Sequence, residues 1–191
     1  MNSLWLIVKT WAYCNFCMKI RPALLCCFLV LISFNHAETD TIHTDITGKV
    51  IAVKDGDTID VLVNNKKVTV RLAHIDCPEM GKGQPFGAQA KKFTSAKCFG
   101  QIVTVQNKGS YDRYRRLIGV VINRNKENVN MELVKAGLAW YYAKYSSNIS
   151  YRDAERVARR RKKGIWSEEK PTPPWQWRKP ATKKNTPVKT K

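Results

Sequence analysis

The sequence predicts an α+β domain built on a five-stranded sheet, and three observations lead there. Thr58–Val63 and Lys66–Leu72 each alternate polar and apolar residues around Asn64-Asn65, a tight-turn dipeptide, which together read as a β-hairpin. Two further apolar runs, 101–105 and Leu117–Ile122, read as strands, and residues 48–54 read as a strand ahead of the hairpin. Two other stretches space their apolar residues near the helical period, and a third reads as a helix capped by glycine.

In chain order, residues 38–45 are polar and predict a loose start. Residues 48–54 form the first strand and run into a turn at Asp55; the hairpin supplies strands two and three. Pro78 is expected to end strand three and to project Asp76 and Glu79 from its end. Residues 81–85 are a glycine- and proline-punctuated loop. Pro85 then opens a helix to about Cys98, with Phe86, Ala90, Phe93 and Ala96 near the helical period and Gly100 ending it. Residues 101–105 are the fourth strand and Leu117–Ile122 the fifth. A helix over 129–136 is capped by Gly137, and a last helix over 151–163, ended by Gly164, sets Tyr151, Ala154, Val157 and Ala158 on one side. From Ser167 onward, five prolines and many lysines predict little regular structure. Trp175 and Trp177 stand out there, either as a strap packed back on the domain or as stacking surfaces for bases.

Composition bounds the partners. The 191 residues carry 34 Lys and Arg against 15 Asp and Glu, a net charge of +19. Residues 1–37 read as an export signal, with Lys19 and Arg21 ahead of the apolar run 23–34 and a small residue, Ala37, at the expected cut. That run is too short for a bilayer-spanning helix, and an uncleaved anchor is the alternative. The leader is unusually long, so translation is expected to begin at Met18. It holds three bases and no acid, so the mature chain keeps 31 bases and a net charge of +16. Such a field attracts polyanions without specifying chemistry; solubility or adhesion to an anionic surface would use it equally well. Four of the six cysteines fall in the leader, leaving Cys77 and Cys98 either disulfide-bonded or as two free thiols.

Chemistry concentrates in residues 55–79, where Asp55, Asp57, Asp60, Asp76 and Glu79 crowd into a basic protein. The hairpin folds its ends together, so Asp57 and Asp76 come within reach of each other. Crowded carboxylates repel unless a cation lies between them, and hard oxygen ligands favour calcium or magnesium. Arg71, on the same hairpin, presents a planar guanidinium suited to a phosphate. Asp55-Gly56-Asp57-Thr58 alone would read as a solvated acidic turn. With Asp76 and Glu79 across a hairpin, the set instead suits phosphodiester cleavage. A second constellation, Lys108 to Arg116, places Tyr111 and Tyr114 among three arginines, a pattern suited to stacking on bases and holding phosphates.

These motifs resemble the staphylococcal nuclease (thermonuclease-like) family. The matching residues are Asp55-Gly56-Asp57-Thr58, Arg71-Leu72, Ile75-Asp76-Cys77-Pro78-Glu79 and Asp112-Arg113-Tyr114-Arg115-Arg116-Leu117, with Gly137-Leu138-Ala139 and Gly164-Ile165-Trp166. The likeness covers roughly residues 47–166, leaving 38–46 as a loose segment and 167–191 as a tail. It implies a five-stranded OB-type Greek-key β-barrel with about three α-helices. It also implies a secreted or periplasmic bacterial-type endonuclease that uses Ca2+ to hydrolyse DNA and/or RNA to 3′-phosphate products. A monomer with no membrane anchor after leader removal is expected.

The resemblance further implies roles. Asp57, Asp76 and the backbone carbonyl of Cys77 would bind the ion, with Asp55 and Thr58 supporting them from behind. Glu79 would orient a water and take its proton. Arg71 and Arg116 would neutralise charge growing on the phosphoryl oxygens, and Arg113, Tyr114 and Tyr145 would contact the nucleic acid. Two departures matter. Arg115 stands where relatives often carry glycine, and Ala143 stands where the best-known member has tyrosine, so terminal-phosphate recognition does not carry over. His74 is expected only to pack. The rival reading is a non-catalytic basic OB-type nucleic-acid-binding module, which has no need for Asp57, Asp76 and Glu79 together with both arginines.

Overall fold

Antiparallel pairing of residues 46–49 with residues 102–105 closes the sheet on itself. The computed structural model describes residues 45–179, which fall within one unit spanning Thr41–Lys191. The export leader, the Met18 start and the tail beyond Lys179 lie outside the described residues. The strands are β1 (Ile46–Asp55), β2 (Thr58–Val63), β3 (Lys66–Leu72), β4 (Ile75–Asp76), β5 (Ile102–Tyr111), β6 (Leu117–Ile122) and β7 (Trp140–Tyr141). The helices are α1 (Gly87–Cys98), α2 (Val129–Lys135), α3 (Ile149–Arg160) and the single turn α4 (Pro174–Trp177). Among the described residues no helix is long and apolar enough to cross a membrane.

Five strands form a closed barrel in the order β1-β2-β3-β6-β5, and β4 pairs separately with β7. Inward residues Val50, Ile59, Val61, Val70, Leu72, Val103, Val105, Leu117 and Val121 fill it, and Val129, Leu133 and Tyr151 extend the same core into the helices. The barrel is mixed. All its pairings are antiparallel except β3 with β6, where Val70 faces Leu117 in parallel register. The sequence suggested an antiparallel succession because alternation reports which face is buried and not which way the partner runs.

Three further expectations are corrected. Strand three ends at Leu72, well before Pro78. His74 turns the chain with φ +70°, and Ala73 is held by its N–H on Gly119 O and by Asn130 Nδ2 donating to its carbonyl. Asp76 therefore sits inside its own short strand, opposite Trp140. Strand four runs on to Tyr111, which pairs with Leu117 after an irregularity that begins at Asn107, so the first part of the expected basic loop belongs to the strand; its side chains break the apolar alternation because they face solvent. Pro85 does not open the first helix. Phe86 stands before it at φ +66°, and the helix begins at Gly87.

Glycine follows the helix ends as expected at Gly100 and Gly137, both with positive φ, whereas α3 stops at Arg160, short of the expected Gly164, and Lys162 takes φ +50° there. Asn128 and Asn148 cap α2 and α3 by accepting from Met131 N and Ser150 N. Cys77 and Cys98 are separate buried thiols, and Cys98 Sγ donates to Thr94 O. His74 packs on Tyr151 with ring centroids 4.8 Å apart and bonds Ser146 Oγ through Nδ1, in keeping with a packing role.

Candidate active site

The hairpin register sets the first half of the site. Thr58 lies opposite Arg71 across β2 and β3, which brings the arginine beside the Asp55–Asp57 turn. That turn is pinned from beneath. A Cβ at Gly56 would lie 2.7 Å from Ala90 Cβ and 2.8 Å from Cys77 Cβ, so only glycine lets α1 and the Asp76-Cys77 segment approach so closely. Thr94 Oγ1 on α1 also donates to Gly56 O at 2.6 Å.

Asp57 and Asp76 converge on one guanidinium. Arg71 Nη1 pairs with Asp57 Oδ2, and Nη2 donates to Asp76 Oδ1 at 2.6 Å. Asp57 Oδ2 also accepts Cys77 N–H at 2.7 Å, tying the two acidic motifs together through the main chain. Both carboxylates are buried, Asp76 to 1% exposure. Burial raises the Asp76 carboxyl, and the charge of Asp57 adds to it, while Arg178 and Arg71 only partly compensate. Burial works against the charge of Arg71, but Asp57 and Asp76 overcome it and hold the guanidinium above the usual arginine range. Asp55 lies behind Asp57 and accepts its N–H at 3.2 Å. Burial, then the neighbouring Asp57 charge, pushes Asp55 up to about 6.

The second half is carried by the turn between β5 and β6. Asp112 organises it: its Oδ1 accepts the N–H groups of Tyr114 (2.9 Å) and Arg116 (3.0 Å), and its Oδ2 accepts Arg116 Nε (2.7 Å). Burial would raise the Asp112 carboxyl, but the hydrogen bonds and charge of Arg116 hold it below the usual range. Arg115 takes φ +60°, a left-handed position that suits glycine and that the chain here fills with arginine. The turn still closes, with Arg115 N donating to Asp112 O and Asp112 N to Arg116 O.

Arg116 thereby points at the first half. Its Nη1 donates to Thr58 Oγ1 at 3.2 Å, and Thr58 Oγ1 in turn donates to Asp57 Oδ1 at 3.4 Å. Tyr114 is exposed, with the Arg113 and Arg116 guanidiniums 4.8 and 5.4 Å from its ring centre. Arg113 also donates to the Tyr114 hydroxyl at 2.8 Å. Tyr145 goes elsewhere. Its ring contacts are with Tyr142 and Lys144, which join it to the C-terminal strap rather than to the carboxylates.

That strap was only half legible. α4 is regular where none was expected, and Trp175 stacks on Tyr142 with ring centroids 5.2 Å apart and planes 3° from parallel. Trp175 also meets Trp140 edge-on, and Trp177 Nε1 donates to Lys82 O. The residue that sequence reasoning missed is Arg178. It grips Asp76 with both terminal nitrogens, Nη2 to Oδ2 at 2.6 Å and Nη1 to Oδ1 at 3.2 Å, and Nη1 also reaches Glu79 Oε1 at 2.5 Å. Proline and lysine content masked it. The signal that could have found it was an arginine directly after two tryptophans that needed somewhere to pack.

The donor chemistry fits a divalent cation. Asp57 and Asp76 are hard, anionic, convergent oxygens whose charge two guanidiniums already balance in part. Among the described residues no three His, Cys, Asp or Glu side chains form a ready metal cluster. An ion held by this pair would therefore draw its remaining ligands from main-chain oxygen and water.

A closed mixed barrel whose hairpin base joins buried carboxylates to two inward arginines defines an OB-type protein with a polar reaction centre. The chain belongs to the staphylococcal nuclease homologue family, whose model matches residues 69–168. An Escherichia coli O157:H7 protein described as an uncharacterized endonuclease is 40% identical over 134 residues, covering 70% of this chain and 86% of its own length. A micrococcal nuclease of Shigella flexneri is 40% identical over 145 residues, covering 71% and 82%. A thermonuclease of Staphylococcus hyicus is 37% identical over 129 residues, covering 63% and 76%.

Proposed function

We propose that the protein is a secreted, calcium-dependent nuclease that hydrolyses phosphodiester bonds of DNA and/or RNA to 3′-phosphate products. Family membership and the names of the relatives support nuclease chemistry. The observation that carries the reading within this chain is the convergence of Asp57 and Asp76 on Arg71, with Arg116 linked to the same carboxylate through Thr58. Export is supported by the basic-then-apolar leader at 1–37, and the mature chain is taken as a monomer without a membrane anchor.

Asp57, Asp76 and the Cys77 main-chain carbonyl are the calcium ligands in this reading. The bound ion would supply Lewis-acid polarisation of a phosphoryl oxygen. Glu79, on the loop immediately after Asp76, orients a water for in-line attack and accepts its proton. Arg71 and Arg116 approach from two sides of Asp57 and stabilise the charge that grows on the equatorial oxygens. Such a fixed donor contributes on the order of 3 kcal/mol. Asp55 and Thr58 orient Asp57. Tyr114, flanked by Arg113 and Arg116, offers a stacking face to a base. Tyr145 serves substrate only where a strand passes over the strap.

The test is cleavage of plasmid DNA and of RNA by the purified protein, first with calcium and then with chelator. Degradation that requires calcium supports the reading. Tight binding without cleavage would establish the rival binding module instead.

A further inference from the structure

Asp76 is almost sealed from solvent, yet both of its oxygens are occupied by guanidinium nitrogens, one of them from a residue a hundred positions away. Arg178 reaches it because the strap is built to be there. Pro174 is buried, and Trp175 stacks on Tyr142 and abuts Trp140. Gln84 ties the strap to the Glu79 loop, accepting Glu79 N–H at 3.0 Å and donating to Thr172 O at 2.7 Å. Trp177 Nε1 and Lys82 Nζ close the same seam on Lys82 O and Arg178 O. The arginine is thus delivered to the two carboxylates by a registered segment, while its own side chain stays 36% exposed.

The grip uses the lone pairs that a divalent ion would need. A bidentate guanidinium occupies both oxygens of the Asp76 carboxylate, and a third bond takes Glu79 Oε1. Asp76 Oδ1 already accepts from both Arg71 Nη2 and Arg178 Nη1, so a cation that takes Asp76 through Oδ2 must displace Arg178 Nη2, which holds that oxygen at 2.6 Å. Arg71 is different. It is on the barrel itself, 14% exposed, and has Asp57 as a second anchor. Arg178 follows α4, outside the barrel, and its side chain is more exposed than that of Arg71.

We infer that Arg178 is a tethered competitor for the metal site: the C-terminal strap closes Asp76 and Glu79 when the ion is absent and is displaced when it binds. The inference rests on the metal-binding reading proposed above. Its consequence is that the strap sets the calcium concentration at which Asp76 and Glu79 become available. In calcium-poor surroundings the carboxylates stay neutralised by Arg178, and Glu79 Oε1 is held away from a water.

Calorimetric titration of calcium into wild-type protein, Arg178→Gln and Arg178→Lys tests this, with Asp57→Asn as the reference for loss of the site. Removing a bidentate, charge-assisted contact is expected to tighten calcium binding about tenfold in Arg178→Gln, with a smaller gain in Arg178→Lys. Thermal melts separate competition from a plain structural role. In chelator Arg178→Gln melts below wild type, whereas its upward shift on adding calcium exceeds that of wild type. A change in tryptophan fluorescence on calcium addition, present in wild type and reduced in Arg178→Gln, reports release of Trp175. If Arg178→Gln binds calcium with unchanged or weaker affinity while Asp57→Asn loses it, the competitor inference is overturned and the metal site stands. If wild type, Arg178→Gln and Asp57→Asn all fail to bind, the metal-site reading falls and takes this inference with it.

Discussion

Replacing Asp112 by alanine is expected to cost nearly as much turnover as removing Arg116 itself, although Asp112 touches no reacting group. Its carboxylate accepts two main-chain N–H groups and the Arg116 side chain, the last through bonds of 2.7 Å from Nε and 2.6 Å from Nη2. Hydrogen bonds to a charged group are worth about 1.5–3 kcal/mol each, and partial exposure of this pair reduces the net loosening to about 2 kcal/mol. That is enough to release Arg116 from Thr58 most of the time. A fixed donor contributes on the order of 3 kcal/mol to the transition state, so kcat falls by about a hundredfold. Single-turnover cleavage of a defined oligonucleotide by wild type, Asp112→Ala, Arg116→Ala and the double variant measures this. The double variant is expected to be no slower than Arg116→Ala, because both changes remove one contribution. Asp112→Asn keeps an acceptor for the main-chain groups but loses the ion pair, and falls between. A hundredfold loss in Arg116→Ala beside full turnover in Asp112→Ala would refute this reasoning.

Glu79→Gln is expected to lower kcat by about 10²–10⁴-fold, the usual contribution of a general base, while calcium still binds; full turnover would remove its water-activating role. Asp55→Asn has a pH signature in chelator. The folded carboxyl is raised to about 6, so the fold holds a proton that the unfolded chain has released, and wild-type stability falls as pH rises from about 4 to about 6. The variant lacks that fall and is more stable at pH 7 by up to about 3 kcal/mol, each pH unit of that window being worth about 1.4 kcal/mol; an equal slope in both proteins would contradict it. Asp112 has the opposite sign. Its folded carboxyl is depressed, so its contribution is present above the ordinary carboxylate range and lost as pH falls through the folded value, and Asp112→Asn flattens that acid limb in a pH series of melts. Arg71→Ala leaves Asp57 and Asp76 buried with less compensation and is expected to destabilise the protein by about 3 kcal/mol in chelator, with calcium restoring part; melts unchanged by the substitution would show that the pair needs no cation.

The hairpin was legible because its period-two pattern and its turn dipeptide agree, and its register alone sets Arg71 beside the Asp57 turn. Helix ends were legible at Gly100 and Gly137, which both take a positive φ, but not for α3, which stops at Arg160 ahead of Gly164. The parallel pairing of β3 with β6 was not, because no local pattern encodes strand direction. Nor was the turn at His74, where long-range bonds from Asn130 and Gly119 decide the backbone. Asp57, Asp76, Arg71 and Arg116 were legible as a cluster through their motifs. Asp112 was visible within a motif, but its organising role depends on three bonds that sequence does not show. Arg178 was hidden because tail composition reports average disorder, while two tryptophans and a glutamine across the seam settle the local outcome.

Asp57 and Asp76 acting jointly on one cation is the central claim. Calcium affinity of Asp57→Asn and Asp76→Asn, set beside wild type in the same titration, tests it most directly. One bound ion in wild type, lost or weakened at least about a hundredfold in each single variant, is the expected result. Wild-type affinity retained in either variant would mean that the two carboxylates do not share an ion.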